Sequence, residues 1–150
     1  MKKLIAIYLM LTMTIVGYGQ ILKGANKILV HNSNDKKTNI DLVINTLIEK
    51  NIEVGETKDE YGIVKTTPKG FDKLNGEYYL YIVCRDSLVI IIGQMKDNIN
   101  LNYGYGISTE SSYSKIENRG MKGSILKESF NQMDLFANSF KGATIEYKID

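Results

Sequence analysis

Residues 77–107 constrain this chain more than any other stretch, because they read as three consecutive β-strands: 77–85, 88–96 and 99–107. The first two are dense in β-branched and aromatic side chains, which fit a pleated surface. The third alternates strictly, with Ile99, Leu101, Tyr103, Tyr105 and Ile107 set against Asn100, Asn102, Gly104 and Gly106. A period of two predicts a strand with one apolar face. Asp86-Ser87 and Asp97-Asn98 stand where two-residue hairpin turns belong. With turns of that length, Tyr79, Tyr81 and Val83 share a face with Leu88, Ile90 and Ile92, and with Tyr103, Tyr105 and Ile107. Tyr78, Leu80, Ile82 and Cys84 share the other face with Val89, Ile91, Gly93 and Met95. Residues 88–92 are apolar on both sides, which predicts a central strand covered on both faces.

The rest of the chain supplies what packs on this sheet. Residues 27–31 read as a short strand, followed by a polar turn at 32–37. Thr38 and Asp41 have capping-box spacing. Ile40, Val43, Ile44, Leu47 and Ile48 then form one apolar stripe on a helix over 38–50, and Asn51 can close it in the left-handed conformation. Residues 52–58 and 61–67 read as a second hairpin turning near Asp59-Glu60. Residues 71–76 are a loop, and 108–123 are polar with a helical turn around 112–118. A second helix over 124–141 is capped by Ser124 or Gly123 and closed by Gly142. It carries Leu126, Phe130, Met133, Ala137 and Phe140 on one side, widened by Ile125 and Phe136. Ala143, Ile145, Tyr147 and Ile149 alternate along a last strand. The order β-α-β-β-β-β-β-α-β with an antiparallel centre predicts an α+β domain, with two helices packed on one sheet face.

The first 19 residues read as a signal peptide. Lys2 and Lys3 form the charged start, Leu4 to Val16 an apolar run of 13 residues, and Gly17-Tyr18-Gly19 a cleavage site before Gln20. The apolar run is short of the roughly 20 residues that a membrane-spanning helix needs. The expected mature chain is therefore a single domain over 20–150, exported to the periplasm, envelope or medium, with no membrane span after signal removal. Two of the 19 basic residues lie in the removed segment, which leaves 17 against 17 acidic ones. A balanced charge with no basic stripe argues against a nucleic-acid partner.

No arrangement of residues announces a reaction. The chain has one histidine, His31, and one cysteine, Cys84, with no motif around either. A lone histidine at a strand end is more often structural than a general base. Cys84 falls inside a strand and reads as a buried small hydrophobe. No cluster has metal-ligand spacing, and no cofactor is implied. A small hydrolase using carboxylates and His31 is the alternative to a binding role. Gly104-Tyr-Gly106 lacks the strand–turn–helix setting of a phosphate loop. Gly120 and Gly123 precede the second helix near Arg119 and Lys122. An anion there is conceivable, so Arg119 joins the candidate binding residues, but a hinge with a cap explains the same glycines better. Asp86-Ser87-Leu88 has the form of an O-glycosylation acceptor, and a plain hairpin turn explains it as well.

The strongest candidate is the face carrying Tyr79, Tyr81, Tyr103 and Tyr105. If both helices cover the opposite side, this aromatic and apolar face needs a cover of its own. That cover is the 108–123 segment, a second copy of the chain or an envelope protein partner. The chain also resembles small secreted or lipid-anchored bacterial envelope proteins of unknown function. The resemblance rests on Glu60-Tyr-Gly-Ile-Val-Lys-Thr66 and Ile116-Glu-Asn-Arg-Gly-Met-Lys-Gly123. It implies an α+β fold and an envelope address, and no activity. Unlike the lipid-anchored relatives, this chain has no cysteine at the cleavage site.

Overall fold

The structure, a computed structural model, describes residues 21–98 and 112–150. Its elements are β1 (Lys27–His31), α1 (Lys36–Glu49), β2 (Val54–Lys58), a single 3-10 turn (Asp59–Tyr61), β3 (Ile63–Thr66), β4 (Lys69–Gly70), β5 (Gly76–Arg85), β6 (Leu88–Asp97), β7 (Ser114–Lys115), α2 (Ile125–Ala137) and β8 (Thr144–Lys148). The strands form one antiparallel sheet in the order β2-β3-β5-β6-β1-β8, with β4 on β5 and β7 on β6. This is an α+β fold.

The β5–β6 hairpin is the spine. Its register runs from Gly76 opposite Asp97 to Arg85 opposite Leu88, so Asp86-Ser87 is a two-residue turn, with Ser87 left-handed at φ 60°. That register puts Tyr78, Leu80, Ile82 and Cys84 on one face with Val89, Ile91 and Gly93, all buried. Both helices pack on this inner face. Tyr79, Tyr81, Val83, Leu88, Ile90 and Ile92 lie on the other face, as the two-residue turn predicts. The expected third strand, 99–107, lies outside the described residues. The β6 edge that it would have joined is paired with β1 along Leu88 to Ile92 and with β7 at Met95 and Gln94.

α1 begins earlier than its spacing suggests. Asp35, not Thr38, is the N-cap, and its carboxylate accepts the Thr38 amide at 2.7 Å. The next amide, Lys36 N–H, donates to Asp86 Oδ1 at 2.8 Å, so the hairpin turn completes the cap. The buried stripe is also rotated. Ile40, Val43 and Leu47 are buried with Asn39 and Thr46, whereas Ile48 is 63% exposed. Three buried aliphatic side chains contribute roughly 5–9 kcal/mol gross. Asn51 closes the helix at φ 52°.

α2 starts where expected: Ser124 caps it by accepting the Lys127 amide. It ends at Ala137, four residues before the expected end, and the chain turns so that Phe140 folds back edge-on against Phe136 at 5.4 Å. The segment leading to α2 holds no helical turn at 112–118. Instead β7 pairs with β6, and Ile116 reaches the inner face over Gly93. A Cβ on Gly93 would stand 2.4 Å from Ile116 Cδ1, so only glycine leaves room. β8 closes the sheet beside β1, with Tyr147 opposite Ile28 and its hydroxyl donating to Asp134 of α2 at 2.6 Å. Among the described residues no helix is long and apolar enough to cross a membrane.

Candidate functional site

The pairing registers resolve the outer sheet face into rows. One row runs Ile63, Val83, Ile90, Leu29 and Glu146 across five neighbouring strands. The next runs Lys65, Tyr81, Ile92, Lys27 and Lys148, and on the other side lies Arg85, Leu88, His31 and Thr144. The face therefore has an apolar centre, made by β3, β5, β6 and β1, inside a charged rim. An antiparallel sheet with one wet face ordinarily alternates apolar-in and polar-out. Here the alternation fails at the centre and holds at the margins. Leu29 is 6% exposed, Tyr81 36%, and the aliphatic residues between them are half-buried.

The rim is unevenly neutralised. Asp150 takes Lys27 and Lys115, and Glu146 takes Lys148 and His31. These contacts hold both carboxyls below their ordinary range: for Asp150 chiefly the hydrogen bond from Lys27, for Glu146 the one with His31. Lys65 lies over the Tyr79 ring, 4.8 Å from its centre, and neither Lys65 nor Arg85 has a carboxylate partner among the described residues.

Of the five candidate binding residues, the structure brings Tyr79 and Tyr81 onto this face. Tyr79 is half-buried because Tyr113 folds back against it edge-on, 5.1 Å between ring centres. Tyr113 is anchored by its hydroxyl to Glu77, and desolvation followed by that carboxylate pushes its phenol up to about 12. Tyr113 thus covers Tyr79, while Tyr81 stays 36% exposed. Tyr103 and Tyr105 lie outside the described residues. Arg119 precedes α2 and bonds Glu117 at 2.8 Å. Sequence reasoning missed Leu29 and Ile63 as members of the patch. Each sits in a short strand whose apolar residues read equally well as core, and only the pairing register assigns their side.

His31, the histidine of the hydrolase alternative, meets a carboxylate that sequence reasoning did not single out. His31 Nε2 lies 3.0 Å from Glu146 Oε2, both side chains about half exposed on the open face at the β1–β8 margin. Among the described residues no hydroxyl or thiol bonds the other ring nitrogen. Cys84 lies on the opposite face, fully buried, and desolvation pushes its thiol up to about 12, which leaves it unreactive. No group of three or more His, Cys, Asp or Glu among the described residues is arranged to hold a metal ion. On the helix side, a pocket of about 420 Å³ opens between residues 69–74 and α2; Gly123, read from the sequence as a hinge or cap, lies in its lining, and its other lining residues were not singled out as a site. No known protein family matches the chain, and a search of curated proteins finds no match.

Proposed function

We propose that this chain is an exported binding module whose outer sheet face docks a protein partner with an apolar centre and an acidic rim. The observation that carries the reading is the unbroken apolar row Ile63, Val83, Ile90 and Leu29, beside an exposed Tyr81 and two cations, Lys65 and Arg85, without carboxylate partners among the described residues. Protein interfaces have this anatomy: an apolar, aromatic centre within a polar rim. Export rests on the charged, then apolar, then small-residue pattern of residues 1–19.

A photo-crosslinking amino acid placed at position 81, tested in the source cell, checks the docking face. The expected result is a discrete protein adduct from position 81 and none from position 48, an exposed site on α1. Reversing the rim with Lys65→Glu and Arg85→Glu should slow association by about tenfold or more, since rim charges act mainly on the encounter. Equal labelling from both positions, or none, would sink the proposal. The competing reading is hydrolysis by His31 and Glu146, favoured by their contact. Turnover of a hydrolase substrate that is lost in a folded His31→Ala variant would establish it instead.

A further inference from the structure

The pocket on the helix side is independent of the docking face. Its floor is an aromatic pair, Phe71 and Tyr78, with ring centres 5.1 Å apart. Glu128 and Gln132, one turn apart on α2, form the opposite wall, and Leu74 closes one side. At about 420 Å³ it falls within the span of small-molecule sites, about 300–1,000 Å³.

Tyr78 is the informative residue. Only 2% of it is exposed, yet its hydroxyl has no hydrogen-bond partner among the described residues. Every fully buried side-chain polar atom there is satisfied, so the little surface Tyr78 keeps includes its hydroxyl, and that surface faces the pocket. Desolvation, and next the charge on Glu128, push the phenol up to about 12, so it stays protonated and can both donate and accept. A hydroxyl open to the pocket is hydrated there, and a ligand hydroxyl can take the place of that water.

The walls say what kind of ligand. Lys69, Lys73, Asp72 and Glu128 contribute two charges of each sign, so the lining favours neither a cation nor an anion. Lys69 is further committed to the Lys50 and Asn51 carbonyls at the end of α1. Glu128 accepts from Asn131 and Gln132 and keeps acceptor capacity. Gln132 donates one N–H to Glu128, and its carbonyl oxygen accepts from no described residue. Two acceptors and an amphiprotic hydroxyl therefore face an aromatic floor.

We propose that this pocket binds a neutral, hydroxylated ring of the sugar class. Its C–H face would lie on Phe71, and its hydroxyls would donate to Glu128 and Gln132 and exchange a hydrogen bond with Tyr78.

The test is a protein-observed NMR titration with glucose, N-acetylglucosamine, cellobiose and chitobiose, each to about 10 mM, the range of weak small-ligand sites. Glucose 6-phosphate and glucosamine serve as charged controls. The expected result is saturable shifts at Phe71, Tyr78 and Glu128 with at least one neutral sugar and weaker ones with the charged pair. Tyr78→Phe should then weaken binding about tenfold, the worth of one buried hydrogen bond. Its melting temperature should be equal to or above wild type, because no protein partner is lost. Absence of saturable shifts with every neutral sugar would overturn the proposal. So would tighter binding of a charged control, unchanged affinity in Tyr78→Phe, or a melting temperature lowered by that substitution. Crosslinking at position 81 reads a different face, so either result stands without the other.

Discussion

Asn39 has no exposed surface, and its amide is used at both ends. Its Nδ2 donates to the Arg85 carbonyl at 2.8 Å, and its Oδ1 accepts from Asn32 at 2.7 Å and from Asn34. One side chain on α1 thereby fixes the loop after β1 to the end of the β5–β6 hairpin. Truncating it leaves a part-buried carbonyl and two amides without their partner, so Asn39→Ala should cost about 1–3 kcal/mol in a urea melt. A loss below a few tenths would mean that water substitutes freely. Nothing in the sequence distinguishes Asn39 from the other asparagines in 32–45, because its partners lie 46 residues away in one direction and 5 to 7 in the other. The acids on the β8 margin behave differently with pH. Glu146 and Asp150 have folded values below their ordinary 4.5 and 3.8, so their stabilisation is full above those values and is lost as pH falls through the lower folded ones. The stability gap between wild type and Glu146→Gln should therefore be open at pH 7 and close as the solution is taken below about pH 4. A gap that does not change with pH would show that the His31 and Lys148 contacts do not act on the carboxylate charge.

At the scale of elements, periodicity carried most of the information. The period of two in a strand, set in register by a two-residue turn at Asp86-Ser87, assigned both faces of β5 and β6 correctly, and the three-four spacing found α2 with its cap. α1 was displaced for a physical reason. Its first free amide is capped by Asp86 from a hairpin 50 residues on, and a tertiary cap leaves no local spacing to read. The rotation that exposes Ile48 has the same origin, since the buried side includes Asn39, a residue no apolar pattern would choose. β4 and β7 are two residues long, too short to show any period. Both helices share one core with the sheet, so a charge at either centre should be intolerable. Leu47 and Phe130 are 0% and 1% exposed, and Leu47→Asp and Phe130→Asp should each abolish the cooperative thermal transition, since a carboxylate at either site loses its hydration; Lys127 Nζ, 5.6 Å from the Phe130 ring centre, makes the second the milder of the two. A wild-type melting temperature in either variant would remove that helix from the core.

For the whole molecule, the two faces of the sheet have different tasks, and one substitution separates them. Tyr81 stands on the outer face, so Tyr81→Ser should change unfolding free energy by less than about 0.5 kcal/mol, the usual range for surface positions. A larger loss in a denaturant melt would make the side chain part of the monomer's own packing rather than a contact for another molecule. The sequence pointed to this face through its tyrosines but could not show its extent, because four strands from distant parts of the chain build it. That same wide spacing sets the order in which the protein can assemble. β1 is the earliest strand in the chain, yet it lies between β6 and β8, two of the later ones. The β5–β6 hairpin can close by itself soon after it is made, being local. β1 has no neighbour until Leu88 to Ile92 exist, and its second edge stays open until Thr144–Lys148 arrives. Closing such long loops is slow. A chain emerging N-terminus first would therefore carry β1 unpaired until Leu88 to Ile92 followed it, and would lock that strand only when Thr144–Lys148 was free.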